Sequence, residues 1–201
     1  MKVLSVNVGL PRIVEYREEP VVTGIFKSPV AGPVRVGELN LEGDRQADLR
    51  VHGGPLKSVY VYPSEHYKYW REQLPGAELN WAVFGENLTT EGILETDVRR
   101  GDRLTIGTAK FEVTIPRYPC YKLGLRFGHL RWQTGTDDFE LVPVVPPILR
   151  DGGNILRRFM KSGRCGFYLS VIKTGVIEVG DEIEFVSSGA GSTISEVFAE
   201  R

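Results

Sequence analysis

Residues 98–115 read Val-Arg-Arg-Gly-Asp-Arg-Leu-Thr-Ile-Gly-Thr-Ala-Lys-Phe-Glu-Val-Thr-Ile, and this stretch decides the fold class. Gly101-Asp102 supplies a tight turn, because Asp can bond its own backbone while Gly tolerates unusual angles. Runs rich in β-branched residues follow, so strands are expected over Arg103–Ile106 and Lys110–Ile115. Residues 177–183, Ile-Glu-Val-Gly-Asp-Glu-Ile, repeat the arrangement and lead into a strand over Glu182–Val186. Working outward, short β-rich runs stand at Lys2–Val8, Val21–Phe26, Ser58–Tyr62 and Gly166–Ile172. The 23 glycines and 12 prolines are dispersed, which reads as many turns rather than one linker. Short strands joined by tight turns predict a mainly β chain, a barrel or a sandwich.

Helices are few. One is expected from Pro63-Ser64 to Leu74, with Ser64 as N-cap and Tyr67, Trp70 and Leu74 at helical spacing. Another follows Pro147, is interrupted at Gly152-Gly153 and is firmest over Asn154–Lys161. A third short one begins at Ser192-Thr193. Trp132–Pro147 reads as a long excursion of the kind that serves as a lid or interaction loop. The chain is expected to be one domain over residues 1–201, with 188–201 as a tail that holds the last short helix.

Composition narrows the function. The net charge is −1 across 201 residues, which argues against general nucleic-acid binding. No apolar run approaches a membrane span, and the N-terminus lacks a signal-peptide layout. Two cysteines, Cys120 and Cys165, make no disulfide framework, so a reducing, cytoplasmic setting is expected. Charge is uneven, however. Arg99, Arg100, Arg103, Lys110, Arg117, Lys122, Arg126 and Arg131 are opposed only by Asp102 and Glu112. Either these cations focus a field on an anionic ligand, or alternation along strands turns half of them to solvent.

Cys120 lies inside that basic stretch, in Ile-Pro-Arg-Tyr-Pro-Cys-Tyr-Lys-Leu, residues 115–123. The two prolines stiffen the backbone and disfavour a helix there. Arg117 and Lys122 favour a thiolate. Such a cysteine suits a metal ligand or nucleophile, although a lone cysteine also serves as a small core residue. A second motif, residues 41–54, packs Asp44, Arg45, Gln46, Asp48, Arg50 and His52 ahead of Gly53-Gly54. It reads as a ligand-facing network or as a polar surface loop. Phe84-Gly-Glu-Asn-Leu, residues 84–88, offers Glu86 as an acid/base group and Asn87 as a reader of a heterocycle edge, or simply a turn. Arg164, at the end of a helix-like segment, contacts an anion or the last carbonyls. Cys165 looks structural. A Cys120–His52 dyad stays open. Zinc spacings, a Walker loop, Gly-x-Gly-x-x-Gly and Gly-x-Ser-x-Gly are all absent.

In this order, Gly43-Asp44-x-Gln46-Ala47-Asp48 leading to His52-Gly53-Gly54, then residues 84–88, then Arg117-x-Pro119-Cys120-x-Lys122-Leu123, the chain resembles the MOSC family, named for the C-terminal domain of molybdenum cofactor sulfurase, and its YiiM-like branch. The resemblance implies a β-barrel fold and a molybdenum cofactor, a molybdopterin, with tungsten open in place of molybdenum. Cys120 is implied as the thiolate ligand. Arg117, Lys122, Arg45 and Arg164 are implied anion contacts, and Asp44, Gln46, Asp48, Gly53, Gly54 and Asn87 pocket groups. His52 and Glu86 join Cys120 as catalytic candidates. The implied reaction reduces N-hydroxylated compounds, including N-hydroxylated purines, to amines, with electrons from an external redox protein. A sulfur carrier holding a persulfide on Cys120 and a non-catalytic cofactor-binding or insertion protein are the alternatives. A homodimer is compatible with the sequence. The chain departs from many relatives at Ile115, where they carry Gln.

Overall fold

The computed structural model describes residues 1–16, 19–49, 53–127, 129–134, 138–143 and 153–200. Fourteen strands and four α-helices are seen among these residues. Lys2–Val8 (β1) is a strand as its sequence dictates and buries Val3 and the consecutive Ser5, Val6 and Asn7. Arg12–Tyr16 (β2), Glu19–Thr23 (β3), Ser28–Val30 (β4) and Val34–Val36 (β5) follow. Val59–Pro63 (β6) is buried throughout and leads to helix Glu65–Gln73 (α1). Next come Leu88–Glu91 (β7), Arg103–Ile106 (β8) and Ala109–Pro116 (β9).

Helix Tyr121–Leu125 (α2) starts directly after Cys120, whose own backbone is extended. The expectation of a stiff, non-helical segment therefore holds up to Cys120 and fails one residue later. His129–Thr134 (β10) and Asp138–Pro143 (β11) pair as a hairpin, so the expected excursion at Trp132–Pro147 contains strand structure. Helix Gly153–Ser162 (α3), strands Phe167–Lys173 (β12), Gly175–Ile177 (β13) and Ile183–Val186 (β14), and helix Ile194–Ala199 (α4) complete the order.

Eight strands form one sheet in the order β14-β8-β9-β12-β6-β7-β1-β4. All of its pairs are antiparallel except β6 with β7. No closed barrel ladder is present among the described residues. The start of β1 nevertheless meets the entry to β14 through the Lys2–Glu182 bridge and the bond from Val3 N–H to Asp181 O, 2.9 Å. A second sheet runs β11-β10-β2-β3, and β13 pairs with β5. The protein is mainly β with few helices.

The core is aromatic. Tyr62, Tyr67, Trp70, Phe84 and Phe159 are each fully shielded from solvent. Trp70 Nε1 donates to Tyr62 Oη at 2.6 Å, which satisfies a buried N–H. Ser64 holds the expected N-cap position of α1, without a side-chain cap bond. The capping box instead lies on α4, where Thr193 and Glu196 bond reciprocally.

Candidate functional site

Several short segments, distant in sequence, converge on one cleft. They are the end of β3 with Gly24, Ile25 and Lys27, the loop Asp44–Ala47 after β5, Tyr60 on β6, the loop before β7 with Phe84, Gly85 and Asn87, residues Arg117, Tyr118, Cys120 and Lys122 around the start of α2, and Tyr168 on β12. The cleft encloses a cavity of about 100 Å³ that opens to solvent at its mouth. Among the described residues five cations line it, Lys27, Arg45, Lys57, Arg117 and Lys122, against one carboxylate, Asp44. That balance favours an anion.

Cys120 is half-buried on the wall of this cleft and forms no disulfide. Its carbonyl accepts from Leu123 N–H at 2.9 Å, which ties it to the first turn of α2. Cys165 contrasts with it. That residue is fully buried, and burial drives its thiol far above the usual range, reinforced by Glu95. The structural reading of Cys165 is thus supported by its surroundings.

Arg117 is 5 % exposed, with its guanidinium over the Tyr60 ring at 5.4 Å and the Phe159 ring at 5.1 Å. Burial pushes the guanidinium down, but Tyr60, Tyr168 and Cys120 together hold it above its ordinary value. It is therefore charged, yet its Nη1 is shut from solvent with no hydrogen-bond partner among the described residues. Buried polar atoms in folded proteins are almost always paired, so the orphan marks a place for a ligand or water. Gln46 Oε1 is a second such atom in the same cleft.

The wall of the cleft also carries a buried network of paired groups. Lys27 Nζ binds Asp44 Oδ1 in a buried ion pair. Gly9 N–H also donates to Oδ1, at 3.0 Å, and Asn87 Nδ2 donates to Oδ2 at 2.9 Å. Asn87 Oδ1 in turn accepts from Tyr60 N–H at 3.1 Å. Burial lowers the Lys27 ammonium from its ordinary value, and Asp44 opposes that shift.

The sequence-predicted residues divide accordingly. Cys120, Arg117, Lys122, Arg45, Asp44, Gln46 and Asn87 come together at the cleft. Lys122 Nζ is engaged by the Val22 carbonyl at 2.9 Å. Glu86 lies behind the cleft, fully buried, and accepts from Tyr67 Oη, Ala82 N–H, Phe84 N–H and Thr89 Oγ1. It shapes the loop rather than lining the cavity. Arg164 lies elsewhere, over the Tyr69 ring at 4.0 Å, with Nη1 donating to Ser162 O at 3.0 Å. That is the carbonyl contact among its two expected roles, made away from the Cys120 cleft. Asp48, Gly53 and Gly54 are not among the lining residues. Gly53 matters through packing, because a Cβ there would stand 2.8 Å from Leu49 and 3.3 Å from Gln46. His52 lies outside the described residues, as does Arg50.

Lys27, Lys57, Tyr60 and Tyr168 were not singled out from sequence. Tyr60 and Tyr168 pack ring to ring at 5.2 Å across the paired strands β6 and β12. Burial raises the Tyr168 phenol, with Arg117 opposing, so its proton is retained.

The MOSC domain profile matches residues 48–184. The chain belongs to the MOSC domain family. It is 39% identical over 199 residues to the protein YflK of Bacillus subtilis, covering 99% of this chain and 79% of YflK. It is 36% identical to the protein YiiM of Escherichia coli, covering 88% of this chain and 70% of YiiM. A reductase of Gibberella moniliformis matches at 31% identity over 83% of this chain, which spans 26% of that longer protein. The crystal structure of YiiM from Geobacillus stearothermophilus superposes with a TM-score of 0.70 at 31% identity, covering 98% of this chain and 81% of that one. These matches place the chain in the YiiM-like branch of the MOSC family and support a molybdenum-cofactor-associated function. Among the described residues no helix is long and apolar enough to cross a membrane, and no three His, Cys, Asp or Glu side chains cluster for a metal.

Proposed function

We propose that this MOSC domain holds a molybdenum cofactor in the Cys120 cleft and reduces N-hydroxylated compounds, N-hydroxylated purines among them, to amines. One observation carries the reading: a half-buried cysteine on a cleft with five cations, one carboxylate and an unpaired buried guanidinium nitrogen. These residues fit an anionic group that takes a thiolate ligand. The bound cofactor would supply two-electron reduction, chemistry that no side chain here offers. Cys120 Sγ would ligate the metal, and tungsten would suit the same donor. Arg117 would hold an anionic or carbonyl oxygen, since guanidinium geometry suits such acceptors. Arg45, Lys57 and Lys122 would attract the phosphate of the pterin. Tyr168 keeps its proton at Oη and presents it at the wall of the cleft.

The overall reaction converts R–NH–OH, two electrons and two protons to R–NH2 and water. An external redox protein supplies the electrons. The same proposal treats the eight-stranded sheet as a barrel begun at the Lys2–Glu182 contact, and places the protein in the cytoplasm, with a homodimer compatible.

The test is turnover of an N-hydroxylated purine by cofactor-loaded protein, with a reduced viologen as donor. The proposal expects amine formation by wild type and loss of turnover in Cys120→Ala. Loaded protein that binds pterin without turnover would favour the insertion role. A labile extra sulfur on Cys120 by mass spectrometry, with no metal in the same sample, would favour the sulfur carrier.

A further inference from the structure

The two orphaned atoms in the cleft have opposite hydrogen-bonding sense. Among the described residues Arg117 Nη1 is a donor that lacks an acceptor, and Gln46 Oε1 is an acceptor that lacks a donor. Both residues line the same cavity. The orientation of the Gln46 amide is fixed by its neighbours. Nε2 can only donate, and it faces two carbonyls, Leu39 O at 3.3 Å and Lys57 O at 3.5 Å. Flipping the amide would set its oxygen against both carbonyls, so Oε1 is the atom left over. Gly53 admits the Gln46 stem, because any Cβ there would press on Gln46 Cβ at 3.3 Å. A surface glutamine would satisfy Oε1 with water, but this oxygen is closed to solvent.

A simple anion meets only half of this demand. Phosphate oxygens accept from Arg117 and the mouth cations, yet at neutral pH they offer little to an acceptor. A ring amide edge, with C=O beside N–H, offers both halves.

We infer that Gln46 is a specificity-determining residue that accepts a hydrogen bond from a ring N–H of the ligand, while Arg117 donates to an acceptor on it. This rests on the cofactor reading above and names the chemistry of one contact within it: an N–H-bearing heterocycle, the pterin edge, rather than the phosphate. The cations Arg45, Lys57 and Lys122 are left for the phosphate.

Binding of two probes separates these parts. Pterin-6-carboxylate carries the amide edge, and its own fluorescence reports binding. Pyrophosphate carries charge and acceptors without ring N–H donors, and titration calorimetry reports it. Gln46→Met should weaken pterin-6-carboxylate about tenfold, the loss expected for one buried hydrogen bond. It should leave pyrophosphate affinity unchanged, which also shows that the variant is folded. Gln46→Asn keeps an amide but draws it back by one methylene, and should lose the same contact. Equal loss of both probes in either variant overturns the inference, because Gln46 would then act only in packing. So does unchanged pterin binding in both, which would assign Oε1 to an ordered water. Wild-type protein that takes pyrophosphate and no pterin overturns the cofactor reading itself, and this inference with it. Pterin binding by wild type and variants alike leaves that reading standing and sinks only the role of Gln46.

Discussion

Two groups of polar residues meet at the Cys120 cleft, and they are treated in opposite ways. Asp44 and Asn87 on its wall and Glu86 behind it are buried, and their carboxylate and amide groups are bonded to protein partners. Around Cys120, Arg117 and Gln46 each keep one buried atom without a partner among the described residues. The first group is committed to the fold. The second is left incomplete in a way that only a bound molecule or water completes. Polarity alone does not separate them, since both groups sit in motifs of similar composition. What separates them is whether the chain supplies the partner.

That comparison breaks most visibly at Glu86. Glu86→Ala strands four buried donors, and each stranded donor costs on the order of 1–3 kcal/mol. Thermal denaturation should show a loss of at least about 3 kcal/mol. A variant as stable as wild type would mean that Glu86 belongs with the ligand-facing set. Arg117→Met is the counterpart. Pterin-6-carboxylate affinity should fall roughly a hundredfold, the size of a lost charge-assisted contact, with a far smaller change in melting temperature. An Arg117 variant that instead melts like Glu86→Ala would erase the distinction.

Trp70→Phe tests the satisfied core at lower amplitude. It removes the bond to Tyr62 Oη and should cost about 1 kcal/mol in denaturant unfolding, without moving anion affinity. The smallest effect expected is on acid stability. Burial pushes the Asp102 carboxyl up, but the Ser188 and Arg99 amides and the Ser188 and Ser187 hydroxyls together bring it below its ordinary 3.8. Between the folded value and 3.8 the unfolded chain binds more protons, so stability falls as pH drops through that window. Asp102→Asn should flatten the fall in a pH series of melting curves, and an unchanged slope would contradict the assignment.

Much of this architecture was legible in the sequence. Lys2–Val8 and Arg103–Ile106 came out at the expected residues, because alternation and the Gly-Asp turn are local signals. Helix α1 was announced by Tyr67, Trp70 and Leu74. Strands β4, β5 and β13 have three residues each, too short for any period to show. Helix α2 has five and follows two prolines, so its sequence argued against it. At the site, Cys120 and Arg117 stood out by chemistry and chain proximity. Tyr60 and Tyr168 did not, since their pairing spans the β6–β12 ladder and leaves no spacing to read. Lys27 reads as an ordinary strand-edge lysine until the fold brings Asp44 to it. Glu86 was legible as important and not as structural, because the turn that folds Ala82, Phe84 and Thr89 around its carboxylate follows no periodic spacing and its fourth donor, Tyr67, comes from α1.

The central claim is that Cys120 anchors a metal-bearing cofactor. Molybdenum and pterin content, measured on wild type and Cys120→Ser purified from cells that make the cofactor, tests it most directly. The account predicts stoichiometric metal with pterin in wild type and loss of the metal from the variant. Equal metal in both, or pterin-free wild type from the same cells, would contradict it.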